Sequence, residues 1–225
     1  MFAEEEASLL LSDGRDIESL VVRRERGEPL AHVLGWVDFG GVLVHVDKGV
    51  FVPRPHTVAL AEAAAATSPA IALDLFSGAG AIAALIKKRN PDARVVAAEI
   101  DVHECLRENV REVHESDVDA GVPAELEGRV DVLTANVPYV PTADLQYVPH
   151  DGEPAAALDG GADGLDWFRR VVECAPRWLR PDGALFLECA TSQVPLLPRS
   201  RDLSAAEVVH SGPENGVVVR YIARS

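Results

Sequence analysis

The chain predicts an α/β protein built on a doubly wound, mostly parallel sheet, and three observations carry that prediction. Apolar strand-like runs at 71–76, 94–99, 130–135 and 183–189 alternate with helical stretches at 80–89, 102–112 and 164–178. Such alternation implies parallel strands covered on both faces by their crossover helices. A glycine-rich turn, Ser77-Gly78-Ala79-Gly80, follows the first of these strands, where open α/β sheets place their ligands. Beyond residue 190 the rhythm changes: a short helix near 192–198 precedes strand-like segments at 205–210 and 216–224, close enough to pair as an antiparallel edge hairpin.

The segment ahead of this core reads differently. Leu9, Leu10, Ile17, Leu20 and Val21 recur at helical spacing, with Asp13-Gly14 breaking the pattern. Gly27-Glu28-Pro29 ends that unit. Two strand-like stretches, 32–37 and 41–46, joined through Asp38-Phe39-Gly40, predict a small hairpin. Val50 to Pro55 is a stiff connector, because proline fixes its own φ and restricts the residue before it. Thr57 then opens an alanine-rich helix. The expected division is residues 1–52 as an N-terminal helical segment with a β-hairpin, and residues 53–225 as the main domain.

Bulk properties narrow the partners. At 225 residues, 48% hydrophobic and 25% charged, the chain has ordinary globular values and room for a full core. A net charge of −15 argues against a phosphate backbone as partner, because neutralising phosphates requires a basic face. The basic cluster Arg23-Arg24-Glu25-Arg26 reads as a solvated helix end. Cys105, Cys174 and Cys189 are scattered and lack metal-ligand spacing, which predicts no disulfide framework, no metal and a reducing compartment. His103, His114 and His210 have no ligand-spaced partners. The acidic opening lacks a signal peptide's layout, and no apolar run approaches the ~18 residues of a membrane span. The expectation is a cytoplasmic protein without a membrane partner.

Asp74 ends the strand before the glycine turn, and Glu99 ends the next apolar strand. Gly78 and Gly80 allow a tight turn and close approach of a ligand. The third position of a dinucleotide fingerprint is Ala83, a variant that nicotinamide enzymes tolerate, so the glycines alone do not choose the cofactor. A carboxylate at Asp74 suits a cationic sulfonium nucleoside better than a pyrophosphate. Glu99 can accept both ribose hydroxyls, and Asp117 can accept from an adenine amino group. The competing reading of each is a loop acid that caps a helix or faces water.

Asn136-Val137-Pro138-Tyr139 follows the strand 130–135. An amide nitrogen is a poor nucleophile, since its lone pair is delocalised into the carbonyl. Two acceptors, the Asn136 side-chain oxygen and the Val137 carbonyl, would orient it and favour its polarised form. Pro138 stiffens the turn and Tyr139 offers a flat face for stacking. Trp167 and Trp178 read as core residues, Ser77 and Ser192 lack the setting of a hydrolase nucleophile, and His150-Asp151 reads as a surface turn.

These residues resemble the HemK-type protein-(glutamine-N5) methyltransferases, which act on the glutamine of a Gly-Gly-Gln motif in peptide-chain release factors. The resemblance runs in order from Arg23–Leu30 through Gly35–Phe39, Val52–Thr57, Asp74–Ile82 and Asn136–Val140 to Glu153–Leu165. It implies the class I S-adenosylmethionine-dependent methyltransferase fold, Rossmann-like, with a mostly parallel seven-stranded sheet and an antiparallel C-terminal hairpin. It also implies S-adenosylmethionine as cofactor, leaving as S-adenosylhomocysteine. Asp74, Phe76, Gly78, Gly80, Glu99, Ile100, Asp117, Val118, Asn136 and Thr57 are then expected to hold the cofactor. Asn136, Val137, Pro138 and Tyr139 take the target nitrogen, while Phe51, Pro53, Arg54, His56, Glu153 and Pro154 border the substrate.

Three features depart from the family pattern. Val137 replaces the first proline of the usual Asn-Pro-Pro-Tyr, and His56 stands where a glutamate is usual. Few residues precede Gly27, so most of the family's N-terminal docking surface is not expected here. A release-factor-like protein is the expected substrate. A small-molecule N-methyltransferase and a silent cofactor-binding subunit are the alternative readings.

Overall fold

A computed structural model describes residues 3–148, 152–212 and 216–224. Its central sheet has seven strands: β3 (Ile71–Leu75), β4 (Arg94–Glu99), β5 (Glu112–Glu115), β6 (Val130–Ala135), β7 (Leu179–Ala190), β8 (Glu207–Ser211) and β9 (Gly216–Ile222). Their order is β5-β4-β3-β6-β7-β9-β8. β3 pairs in parallel with β4 and β6, β4 with β5, and β6 with β7, whereas β9 is antiparallel to both β7 and β8. The chain winds outward from β3 to β5 and then returns to the other side of β3 through β6. This reversal opens a crevice between the carboxyl ends of β3 and β6. The glycine turn and Asn136 leave their strands at that point.

Strands buried on both faces read as continuous apolar runs, and Leu73, Leu75, Val96, Leu133 and Leu185 are all buried completely. The helix α7 (Asp166–Trp178) buries Phe168, Val171, Val172, Ala175 and Trp178, a spacing that places one apolar stripe against the sheet. The opposite face is covered by α4 (Val58–Ala65) and α5 (Ala81–Arg89), which share a core with Val132 and Phe186.

The N-terminal part comprises α1 (Ala3–Ser12), α2 (Ile17–Glu25), α3 (Leu30–Leu34) and the hairpin β1 (Trp36–Phe39) to β2 (Val42–His45). The break at Asp13-Gly14 separates α1 from α2, and Asp16 caps α2 by accepting from Glu18 N. The hairpin also braces the carboxyl-end side of the sheet through α6. Asn109, closing α6 (Glu104–Asn109), donates to the carbonyls of His45 and Ala79 at 2.7 and 2.8 Å. Asp47 accepts from Cys105 N in the first turn of α6 at 2.9 Å.

Two sequence expectations fail for identifiable reasons. Residues 32–34 are helical rather than extended: Pro29 opens the turn, and Gly35 closes it at φ 82° with its N–H on the Ala31 carbonyl. A five-residue apolar run has too few positions for its period to discriminate. The edge strand β5 begins where the expected helix 102–112 ends, at a place where no strand is expected, because Glu-Val-His-Glu carries the charges that protect an edge rather than a strand's apolar pattern. The short helix near 192–198 is a 3₁₀ segment, Thr191–Leu196. Among the described residues no helix is long and apolar enough to cross a membrane, and no His, Cys, Asp and Glu cluster could hold a metal.

Candidate active site

A cleft of about 660 Å³ opens over the carboxyl ends of β3, β4 and β6. Its first half is shaped chiefly by backbone. Phe76, Gly78 and Gly80 take positive φ values of 54°, 54° and 83°, and Val118 takes 53°. A left-handed conformation is costly for an aromatic and more so for a β-branched residue, and such strain persists where surrounding structure enforces it. Gly80 is required on two counts: a Cβ there would also come within 2.7 Å of Val110 and 2.8 Å of Leu106.

Glu99 fastens this half together. One carboxylate oxygen accepts from Gly78 N at 2.7 Å and the other from Ile100 N at 2.8 Å and Asp101 N at 3.3 Å. A carboxylate offers about four acceptor positions, so capacity remains for a ligand hydroxyl. Phe76 meets Trp167 edge to face at 5.5 Å. Trp167 donates to the Asp159 carbonyl and is only partly buried, so it forms cleft wall as well as core. Asp117 borders the cleft while paired with Arg170 at 2.9 Å.

The other half is built from side chains of distant segments. Asn136 donates through Nδ2 to Thr57 Oγ1 at 3.3 Å, and Thr57 donates to Glu188 Oε1 at 3.2 Å. His56 Nε2 lies 3.2 Å from the same oxygen. Val137 is buried in the core, which fixes the turn without the missing proline. The Tyr139 carbonyl accepts from Gln193 Nε2 at 2.9 Å. Burial, followed by the Glu188 charge, pushes the Tyr139 hydroxyl up to about 12, so it stays protonated near neutrality. Cys189 is likewise pushed to about 12, first by burial and then by Glu188, which makes it no nucleophile.

Most predicted site residues meet in this one cleft. Phe51, Pro53, Arg54, His56 and Thr57 come from the connector, Phe76 and Gly78 from the glycine turn, Glu99 from the end of β4, and Ile100, Asp117 and Val118 from beyond β4 and β5. Asn136 to Tyr139 and Pro154 complete the wall. Three others lie behind it. Asp74 is completely buried, accepting from Ser77 Oγ at 2.5 Å and Thr134 Oγ1 at 2.6 Å, and burial raises its pKa to about 6. Its carboxylate secures the glycine turn to β6 instead of facing a ligand. Gly80 serves helix packing. Glu153 joins the connector to its own loop, accepting from Val52 N at 2.7 Å and Arg54 Nη2 at 2.5 Å. His150 and Asp151 lie outside the described residues.

Sequence reasoning missed Glu188 and Gln193. Glu188 did leave a signal, as a lone acid in the apolar run Ala184–Cys189. Gln193 left none, since a polar residue in a short turn is unremarkable.

This fold is that of the class I methyltransferases. The guanosine- and AdoMet-bound 16S rRNA N2 G1207 methyltransferase of Thermus thermophilus superposes with a TM-score of 0.58 at 22% identity, covering 84% of this chain and 50% of that one. A ribosomal protein L11 methylase from Lactobacillus delbrueckii superposes with a TM-score of 0.51 at 14% identity, over 81% of this chain and 86% of that one. No family model matches the chain. The release factor glutamine methyltransferase of Mycolicibacterium smegmatis is 38% identical over 182 residues, 76% of this chain and 65% of the relative. That of Geobacter sulfurreducens is 38% identical over 77% of this chain and 65% of its own length. That of Thermodesulfovibrio yellowstonii is 31% identical over 86% of this chain and 75% of its own length. The chain belongs to the release factor glutamine methyltransferase family. Matches to the first two relatives span less than two thirds of their length.

Proposed function

We propose that the protein transfers a methyl group from S-adenosylmethionine to the side-chain amide nitrogen of a glutamine in a peptide-chain release factor. The observation that carries this reading is the placement of Asn136. It leaves β6 beside the glycine turn and lines the cleft, and its Nδ2 donates to Thr57, which leaves Oδ1 as the end that can accept. Family membership supports the acceptor class, and the relatives' shared name favours it over the small-molecule and silent-subunit readings.

The cofactor half fits S-adenosylmethionine. Glu99 has acceptor capacity for ribose hydroxyls, Asp117 for an adenine amino group, and Phe76, Ile100 and Val118 give apolar contact to a flat base. Gly78 lets the backbone approach closely. Asp74 contributes from behind by holding this turn in place. When bound, the cofactor supplies an electrophilic methyl on a sulfonium sulfur.

The chain's own residues supply the rest. Asn136 Oδ1 and the Val137 carbonyl accept the two N–H groups of the glutamine amide, fixing its nitrogen and favouring the polarised form. Tyr139 offers its ring for stacking and takes no proton. Alignment provides most of the acceleration, and no general base is needed because the amide sheds its proton after transfer. Phe51, Pro53, Arg54, His56 and Pro154 form the entrance, with Glu153 bracing Arg54. We assign residues 53–225 to the transferase domain and 1–52 to its appended segment, and place the reaction in the cytoplasm with release factors as partners.

Asn136→Ala tests this assignment. Methyl transfer at saturating cofactor should fall by on the order of 100-fold or more while calorimetry shows that the cofactor still binds. Retained turnover would remove the tetrapeptide from the reaction.

A further inference from the structure

We infer that Glu188 is a positioning residue: acting through Thr57, its carboxylate decides which end of the Asn136 amide faces the cleft. The inference deepens the proposed transfer to an amide nitrogen and rests on it. Glu188 is 1% exposed near the carboxyl end of β7, and Thr57 is 3% exposed at the foot of α4. Glu188 Oε2 has no hydrogen-bond partner among the described residues. A buried carboxylate with an unsatisfied oxygen weakens a fold, so its presence beside the cleft calls for a role other than packing.

Donor and acceptor rules supply that role. An ionised carboxylate only accepts, so Thr57 must donate its one hydroxyl proton to Glu188 Oε1, 3.2 Å away. The hydroxyl oxygen can then only accept from Asn136, which requires Nδ2 rather than Oδ1 to face it at 3.3 Å. Oδ1 is thereby turned toward the acceptor. Without the carboxylate, Thr57 could equally donate to Oδ1. The amide would then rotate and present Nδ2, a donor, to the N–H groups of the incoming glutamine. Neither Thr57 nor Glu188 needs to touch substrate for this to hold.

Glu188→Gln keeps the shape but both donates and accepts, so it removes the enforced direction. Thr57→Val keeps the shape and removes the hydroxyl. Assayed with a release factor at saturating S-adenosylmethionine, each should lose kcat by about 10- to 100-fold. The double variant should lose little more than either single one, since both break the same chain of hydrogen bonds. Thr57→Ser should recover most of the rate lost by Thr57→Val. A second readout is independent of turnover. The side-chain amide protons of Asn136, followed by NMR in asparagine-labelled protein, should include one protected by its bond to Thr57, and both variants should abolish that protection.

Unchanged kcat together with unchanged Asn136 protection in Glu188→Gln would overturn the relay. So would a kcat loss that Thr57→Ser does not recover. Should Glu188→Gln fail to fold, Thr57→Val and Thr57→Ser decide the matter. If the unaltered protein methylates no release factor, the proposed function fails, while the amide protons of Asn136 still report whether Glu188 and Thr57 orient it.

Discussion

The two halves of the cleft hold their geometry by different means. In the half proposed for the cofactor, backbone conformation dominates: Phe76, Gly78, Gly80 and Val118 all have positive φ, and buried groups behind them lock the turn. In the half proposed for the methyl acceptor, side chains from the connector, the β6 turn and β7 meet through Thr57, Asn136 and Glu188. The first half is a local property of short segments. The second exists only once the sheet has assembled. A backbone-built turn is therefore intolerant of an added Cβ, whereas a relay of side chains can be uncoupled by one isosteric replacement.

Three changes sharpen this contrast, beginning with the largest effect. Gly80→Ala combines an unfavourable φ with a clash against Val110 and Leu106, and should destabilise the fold by about 3 kcal/mol in denaturant titration. A variant as stable as the parent would show that the turn relaxes freely. Glu99→Gln removes a charge while leaving an acceptor. Calorimetry should show cofactor binding weakened about 30-fold, near 2 kcal/mol, with kcat at saturation little changed. A fall in kcat at unchanged affinity would place Glu99 in the wrong half.

The smallest effect concerns pH. Burial raises Asp74 from the ordinary 3.8 to about 6, so between these values the folded state binds more protons than the unfolded one. Its contribution to stability is complete below the unfolded value and is lost as pH rises through about 6. Asp74→Asn should lack this component. Relative to the variant, the parent should lose about 1–2 kcal/mol between pH 5 and 7 in parallel denaturant titrations. A parallel pH dependence for the two proteins would remove Asp74 as the source.

The same contrast explains what was legible in the sequence. The alternating strands, the C-terminal hairpin, the glycine turn and the Asn136–Tyr139 turn are contiguous patterns, and all could be placed at strand ends without coordinates. Position along the chain could not show depth. Asp74 sits where a ligand-facing acid is expected, yet Ser77 and Thr134 claim its oxygens below the surface. Glu188 lies 131 residues from the Thr57 hydroxyl it accepts, so no local pattern connects them. The polar edge strand β5 and the short helix α3 were hidden because each is too brief for hydrophobic periodicity to identify.

The central claim is that an amide nitrogen is methylated at Asn136, and locating the methyl tests it most directly. The purified protein, labelled S-adenosylmethionine and an unmodified release factor would be combined, and the factor digested for tandem mass spectrometry. The account predicts one methyl on the side-chain nitrogen of the glutamine in Gly-Gly-Gln, lost when that glutamine is replaced by alanine. A methyl on another residue type, or transfer that survives the replacement, would contradict it.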